Sequence, residues 1–205
     1  MSKTRRTRSR ERILAAAQDV FLAEGYHGTA MDVVTQAAGV SKQTVYAHFP
    51  SKEALFRDVI ASMTAGAVAA HRARVGDFTG QQPVADFLEH YAREQLAIVL
   101  TPRLMALRRL VIGEANRFPD LGRHLFDTGP GASLERLTQA MEGYGAQGDI
   151  VVSQPHEAAK LFNWMVMGGP TAEIMHMGDS AIPEPDWCRA HAAECTRVFL
   201  AAYAP

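Results

Sequence analysis

Cysteine is scarce in this chain, two residues among 205, and that excludes a disulfide-stapled fold. Cys188 and Cys195 stand seven apart on what reads as one helix, roughly 10 Å by the helical rise, too far for a bridge within the chain. A bridge across a dimer stays open, while two reduced thiols in a cytoplasmic protein are the expectation. No apolar run approaches the ~18 residues of a membrane span and no leader peptide is evident, so no membrane partner is expected. Catalytic signatures are missing too: there is no GxSxG, HExxH or Walker glycine loop, and no GxGxxG following a strand. The eight histidines are scattered, none at metal-site spacing from another histidine. His176-Met177 beside Asp179 reads as a loop rather than a metal site. No enzyme, cofactor or metal is expected.

Strand character is equally thin. Only residues 147–155, QGDIVVSQP, show it, and they read as a connector. Apolar residues make up 47% of the chain and recur at helical spacing nearly everywhere, which points to an all-α fold. The densest signal lies in residues 29–53, TAMDVVTQAAGVSKQTVYAHFPSKE. Thr29 is placed as an N-cap, with Asp32 at the spacing of a capping box. Met31, Val34 and Ala38 then give a short helix one apolar face, and Gly39 ends it in a conformation glycine accepts. Val40 would plug the corner. Ser41 caps a second helix whose Val45 and Phe49 face inward. Lys42, Gln43, Thr44, Tyr46 and His48 are left on its outer face, where donors, acceptors and rings suit base edges and phosphates. The pair reads as a helix-turn-helix built to enter a DNA groove. An ordinary hairpin with a polar outer face is the plainer alternative.

Charge favours the first reading. Residues 1–12 carry Lys3, Arg5, Arg6, Arg8, Arg10 and Arg12 against Glu11 alone. Residues 1–60 hold 9 basic and 6 acidic side chains, a net of +3, whereas residues 61–205 hold 12 and 16, a net of −4. Residues 1–9 read as a basic, flexible arm that supplies sequence-independent attraction to phosphates.

Residues 10–55 resemble the DNA-binding domain of the TetR family of transcriptional regulators. The resemblance rests on Thr29, Ala38-Gly39-Val40-Ser41, Val45-Tyr46, His48-Phe49 and Ser51-Lys52-Glu53-Ala54-Leu55, all in the family's register. Upstream, Ile13, Ala17, Val20, Phe21 and the Gly25-Tyr26 helix stop also fit. Thr35 departs from the usual alanine, so its hydroxyl needs a local carbonyl. The resemblance implies that Thr29, Tyr46, His48 and Lys52 contact the phosphate backbone of double-stranded DNA. It places Lys42, Gln43 and Thr44 at the groove-facing start of the recognition helix, with Gln43 suited to adenine.

Residues 56–205 read as a separate helical ligand-binding and dimerisation domain. Its helices are expected from Ser51 to about Arg72, over Val84 to about Leu100, from Pro102, from Pro130 or Ala132 through Met141, and at about 156–168 and 186–203. A loop covers 76–83, and the chain is expected to break and restart over 118–131. Leu110-Val111-Ile112-Gly113-Glu114-Ala115-Asn116-Arg117-Phe118-Pro119 and Asp127-Thr128-Gly129-Pro130 resemble the AefR-like branch of the family. That resemblance implies a buried pocket for a small-molecule effector and a homodimer formed through the last two long helices. Candidate pocket residues are Tyr91, Leu104, Leu107, Val111, Phe126, Phe162, Trp164 and Met167, with Glu114 and Asn163 as polar contacts; plain core is the alternative for each. The expectation is a cytoplasmic repressor that binds a palindromic operator and is released by a lipophilic effector. An architectural, ligand-independent DNA-binding protein is the alternative, and a net charge of −1 with a pI near 6.7 speaks against it.

Overall fold

The computed structural model describes residues 5–205. Among them are ten α-helices, a π turn and a 3-10 turn, with no strand. The helices are α1 (Arg5–Gly28), α2 (Met31–Ala38), α3 (Lys42–His48), α4 (Lys52–Val75), α5 (Val84–Val99), α6 (Pro102–Gly113), α7 (Pro119–Phe126), α8 (Ala132–Gln147), α9 (Pro155–Met177) and α10 (Pro185–Tyr203). The QGDIVVSQP stretch is a connector, tied down where the Val151 N–H donates to the Tyr203 carbonyl at 2.8 Å. The expected flexible arm needs correction from Arg5 onward, where the chain is already helical as part of α1. Lys3 lies outside the described residues.

The chain forms two compact units. The first runs to Thr64 and takes in Ala106–Leu125; the second comprises Ala65–Met105 and Phe126–Pro205. A boundary at residue 55 therefore falls inside α4, and part of the supposed ligand domain packs with the helix-turn-helix. In the first unit Ile13, Phe21, Val34, Val45, Leu55 and Phe56 are completely buried. Phe118, from the later stretch, meets Tyr26 at 4.9 Å and Phe56 at 6.1 Å between ring centroids. Arg57 on α4 bonds Glu53 at 2.9 Å and also Asp120 at the start of α7. Aromatic burial closes the gap and an ion pair marks its rim.

The second unit is built on α5, α8, α9 and α10 around Leu88, Leu96, Leu137, Met141, Phe162, Val166 and Phe199. Ala140, Ala158, Ala159 and Ala192 are buried between them and allow the backbones to approach. Two expectations fail here. The break over 118–131 is bridged by a π turn, Asp127–Gly131, which absorbs Pro130. Helix α9 does not stop near residue 168 but continues through Gly168, Gly169 and Pro170 to Met177. Proline in a helix interior leaves the carbonyl four residues earlier without its donor. Here that carbonyl is Val166, and Nε2 of His191 on α10 reaches it at 3.0 Å. The imidazole replaces the missing N–H.

Candidate DNA-binding interface

Helix α2 ends at Gly39, whose φ of 61° and ψ of 41° are left-handed. A side chain there would be strained, and its Cβ would meet Arg12 Nη2 at 2.9 Å. Arg12 explains the crowding: its Nη2 donates to the Ala38 carbonyl at 2.7 Å and the Gly39 carbonyl at 3.1 Å. These are orphan acceptors of a helix end, so the guanidinium fixes the turn between α2 and α3. Ser41 caps α3, accepting from the Thr44 N–H at 3.1 Å. The Thr35 hydroxyl finds the local carbonyl it needs, donating to Met31 at 2.8 Å.

On α3, Val45 and Phe49 are sealed inside while Lys42, Gln43 and Tyr46 are exposed. Thr44 and His48 are half-buried, Thr44 sharing a 2.8 Å hydroxyl contact with Ser41. Lys42 is not free: its ammonium pairs with Asp32 at 2.7 Å, and that hydrogen bond and charge raise its pKa. Asp32 is thus spent on α3 rather than on a capping box. Thr29 does not cap α2 either. Ala30 is the N-cap residue and offers no side-chain bond, whereas Thr29 is buried and its hydroxyl donates to the Gly25 carbonyl at 2.7 Å. The same carbonyl also accepts the Thr29 backbone N–H at 3.3 Å, so amide and hydroxyl together close the end of α1 beyond the positive-φ kink at Gly25. Lys52 donates to the Tyr26 carbonyl at 2.8 Å and the Thr29 carbonyl at 2.9 Å, with its ammonium 4.6 Å from the Tyr26 ring centre. Its side chain staples the end of α1 to the start of α4.

The ten effector candidates divide between the two compact units. Leu107, Val111 and Glu114 belong to the first unit, the other seven to the second. Glu114 faces His27 at 3.5 Å. Trp164 is 44% exposed and Phe126 47%, so neither is enclosed; each falls on the outward side of its turn. Leu104 is half-buried, and Phe162 and Met167 are core. Tyr91 and Asn163 are linked through Ser133 and Gln95, neither of which the periodicity singled out. Gln95 Nε2 donates to Asn163 Oδ1 and to Ser133 Oγ, both at 2.9 Å, and the Tyr91 hydroxyl lies 2.7 Å from the same Ser133 oxygen. Gln95 Oε1 is buried without a partner. Burial raises the Tyr91 pKa, so its phenol stays protonated.

Comparison with known proteins places this geometry. Residues 13–59 match the family described as bacterial regulatory proteins, tetR family, and residues 86–205 match the AefR-like transcriptional repressor C-terminal domain. The chain belongs to the TetR family. Within it, the solved structure of a TetR-family transcriptional regulator from Mesorhizobium loti MAFF303099 superposes with a TM-score of 0.85 at 29% identity, covering 99% of this chain and 100% of that one. The flavonoid-responsive regulator FrrA gives a TM-score of 0.76 at 30% identity, covering 97% and 98%. Among curated relatives, RutR of Escherichia coli K12 is 48% identical over 48 residues, 23% of each chain. The transcriptional activator FasR of Mycolicibacterium smegmatis is 44% identical over 55 residues, 27% of this chain and 25% of its own. The chain thus spans about a quarter of the length of the curated relatives it matches.

TetR-family proteins are DNA-binding transcriptional regulators rather than enzymes. For this TetR-family chain, sequence reasoning missed Arg12 as the clamp on the turn and Gln95 as the centre of the buried polar cluster. Gln95 had a signal, standing four residues after Tyr91 on the buried side of α5, where an apolar residue is usual. Arg12 had none, because its acceptors lie 26 residues away. No helix among the described residues is long and apolar enough to cross a membrane, and none of their acidic, histidine or cysteine side chains form a metal-holding group.

Proposed function

We propose that this regulator is a repressor that binds a palindromic operator as a homodimer and releases it when a small lipophilic effector binds. The observation that carries the reading is α3, with an exposed polar edge of Lys42, Gln43 and Tyr46 over a sealed apolar side. Gln43 reads a base edge, and its amide suits adenine. Tyr46, His48 and Lys42 hold phosphates, which set register rather than sequence. Thr29 and Lys52 reach phosphate only by leaving the carbonyls they now serve.

A single seven-residue recognition helix discriminates weakly, since each mismatch costs about 1–3 kcal/mol. Pairing two readers about a twofold axis doubles the readout. The surface for pairing is the apolar face of the last two helices: Leu161, Trp164 and Met165 on α9, and Trp187 and Val198 on α10, are all exposed. Large apolar side chains exposed on both helices support this as the pairing surface.

Effector response is a linkage in which ligand and operator each weaken the other, typically by 1–3 kcal/mol. The polar cluster of Tyr91, Gln95, Ser133 and Asn163 supports a polar contact for that ligand within an apolar interior. The test is selection of bound sequences from a random duplex pool, followed by titration with lipophilic compounds, flavonoids included because FrrA responds to them. A palindromic consensus released by one compound class is the expected result. Binding without sequence preference would favour the architectural reading, and in vitro transcription from the selected operator decides repression against the activation that FasR exerts.

A further inference from the structure

The second unit contains a cleft of about 480 Å³ between the end of α4, one face of α5 and the start of α10. Its floor is made by the buried Leu96 and Leu100 of α5 and Cys188 of α10, with Ala97, Pro183 and Pro185 as further apolar lining. Its rim carries Arg74, Arg93 and Arg189, opposed within the lining by Glu94 alone. None of the sequence-derived effector candidates lines it.

The rim is held in place by its own contacts. Glu94 accepts from Arg74 at 3.2 Å and from Arg93 at 3.4 Å. Burial pushes the Glu94 pKa up, but these two bonds more than reverse it, so the carboxylate persists at neutral pH. Arg93 Nη2 also donates to Nδ1 of His90 at 2.8 Å, and the His90 Nε2–H donates to the Arg74 carbonyl at 3.1 Å. Arg189 pairs with Asp186 in the first turn of α10. A guanidinium has five N–H donors in a fixed fork. Arg74 commits one nitrogen to Glu94 and Arg189 one to Asp186, so each keeps donors for a ligand. Fixed arginines cost little further ordering when an acid arrives, and their fork matches a carboxylate in two parallel bonds.

We propose that this cleft binds an amphipathic carboxylate, with an acyl or aryl body on the Leu96–Leu100 floor and its acid group among Arg74, Arg93 and Arg189. The volume lies in the range of small-molecule sites, about 300–1,000 Å³. A bare inorganic anion would leave the floor wet, and a neutral lipid would leave the arginines unanswered. The site is distinct from the buried cluster around Gln95 and goes beyond operator binding.

The test is calorimetric titration of the full-length protein, without DNA, using decanoate and 1-naphthoate, with decanol and inorganic phosphate as comparisons. At least one of the two acids is expected to bind saturably and more tightly than decanol or phosphate. Ala97→Trp fills the cleft from an exposed position and is expected to weaken acid binding tenfold or more. Arg189→Met should weaken the acid while leaving decanol unchanged. Binding of neither acid, an affinity indifferent to both substitutions, or phosphate binding as tightly as the acids would overturn the proposal. Operator binding is scored in a separate assay, so failure there leaves the cleft result standing.

Discussion

Lys42 and Asp32 pair on the exposed side of the helix-turn-helix, and in the proposed reader that pairing sets how much positive charge a duplex would meet. Removing the acid with Asp32→Asn should free the ammonium, tighten binding to all sequences and steepen the salt dependence by about one phosphate's share. Gln43→Ala should behave oppositely, altering the preferred base while leaving the salt slope in place. Fluorescence anisotropy against KCl, on selected and scrambled duplexes, separates the two. A change in base preference from Asp32→Asn would refute the division. A second residue-level effect is acid sensitivity. His71 is 8% exposed, and burial lowers its pKa to about 4, with the nearby Arg136 guanidinium acting in the same direction and Glu94 against it. The folded state therefore resists a proton that the unfolded chain accepts below about 6.5. Stability should be full above that pH and fall as pH drops towards 4, by up to about 3 kcal/mol from this group. Denaturant titrations of the His71→Gln variant should show a flatter profile across that window.

Helix α9 shows what the sequence conveys and what it withholds. Gly-Gly-Pro at 168–170 reads as a stop because the local chain offers no donor for the Val166 carbonyl. The donor is His191, 25 residues on, and nothing local signals it. The turn between α2 and α3 is the reverse case. The left-handed φ of Gly39 and the Ser41 cap on Thr44 are local, so the hairpin and its buried Val45 were legible, while the Arg12 clamp was not. Thr29 misled because its hydroxyl turns back to the Gly25 carbonyl at the end of α1 instead of forward to α2. Loss of the His191 donor should orphan a buried carbonyl, at about 1–3 kcal/mol. His191→Phe is thus expected to destabilise the protein, and Pro170→Ala, which restores the backbone N–H, should recover much of that loss in the double variant. Additive effects in thermal unfolding of the two single variants and the double would count against the substitution of imidazole for amide.

For the molecule as a whole, the proposed pairing surface is the exposed side of α9 and α10. Leu161→Glu with Trp164→Glu places charge on that surface without entering the core, both residues being exposed. The variant should sediment as a monomer, keep its helicity, and lose at least a hundredfold in affinity for the full operator while half-site binding remains. A charged variant that still dimerises would move the interface elsewhere. The all-α class and the DNA reader were legible because each is written in local spacing. The division into units was not, because Ala106–Leu125 joins the reader through Phe118 and Asp120, contacts that no periodicity announces.

That return of the chain bears on protein engineering. Swapping readers between relatives by splicing within α4 would leave Tyr26 and Phe56 facing a foreign Phe118, and would sever Arg57 from Asp120. A transplant that carries the 106–125 corner along with the first 64 residues keeps the seam intact, so hybrid regulators should be cut in two places rather than one.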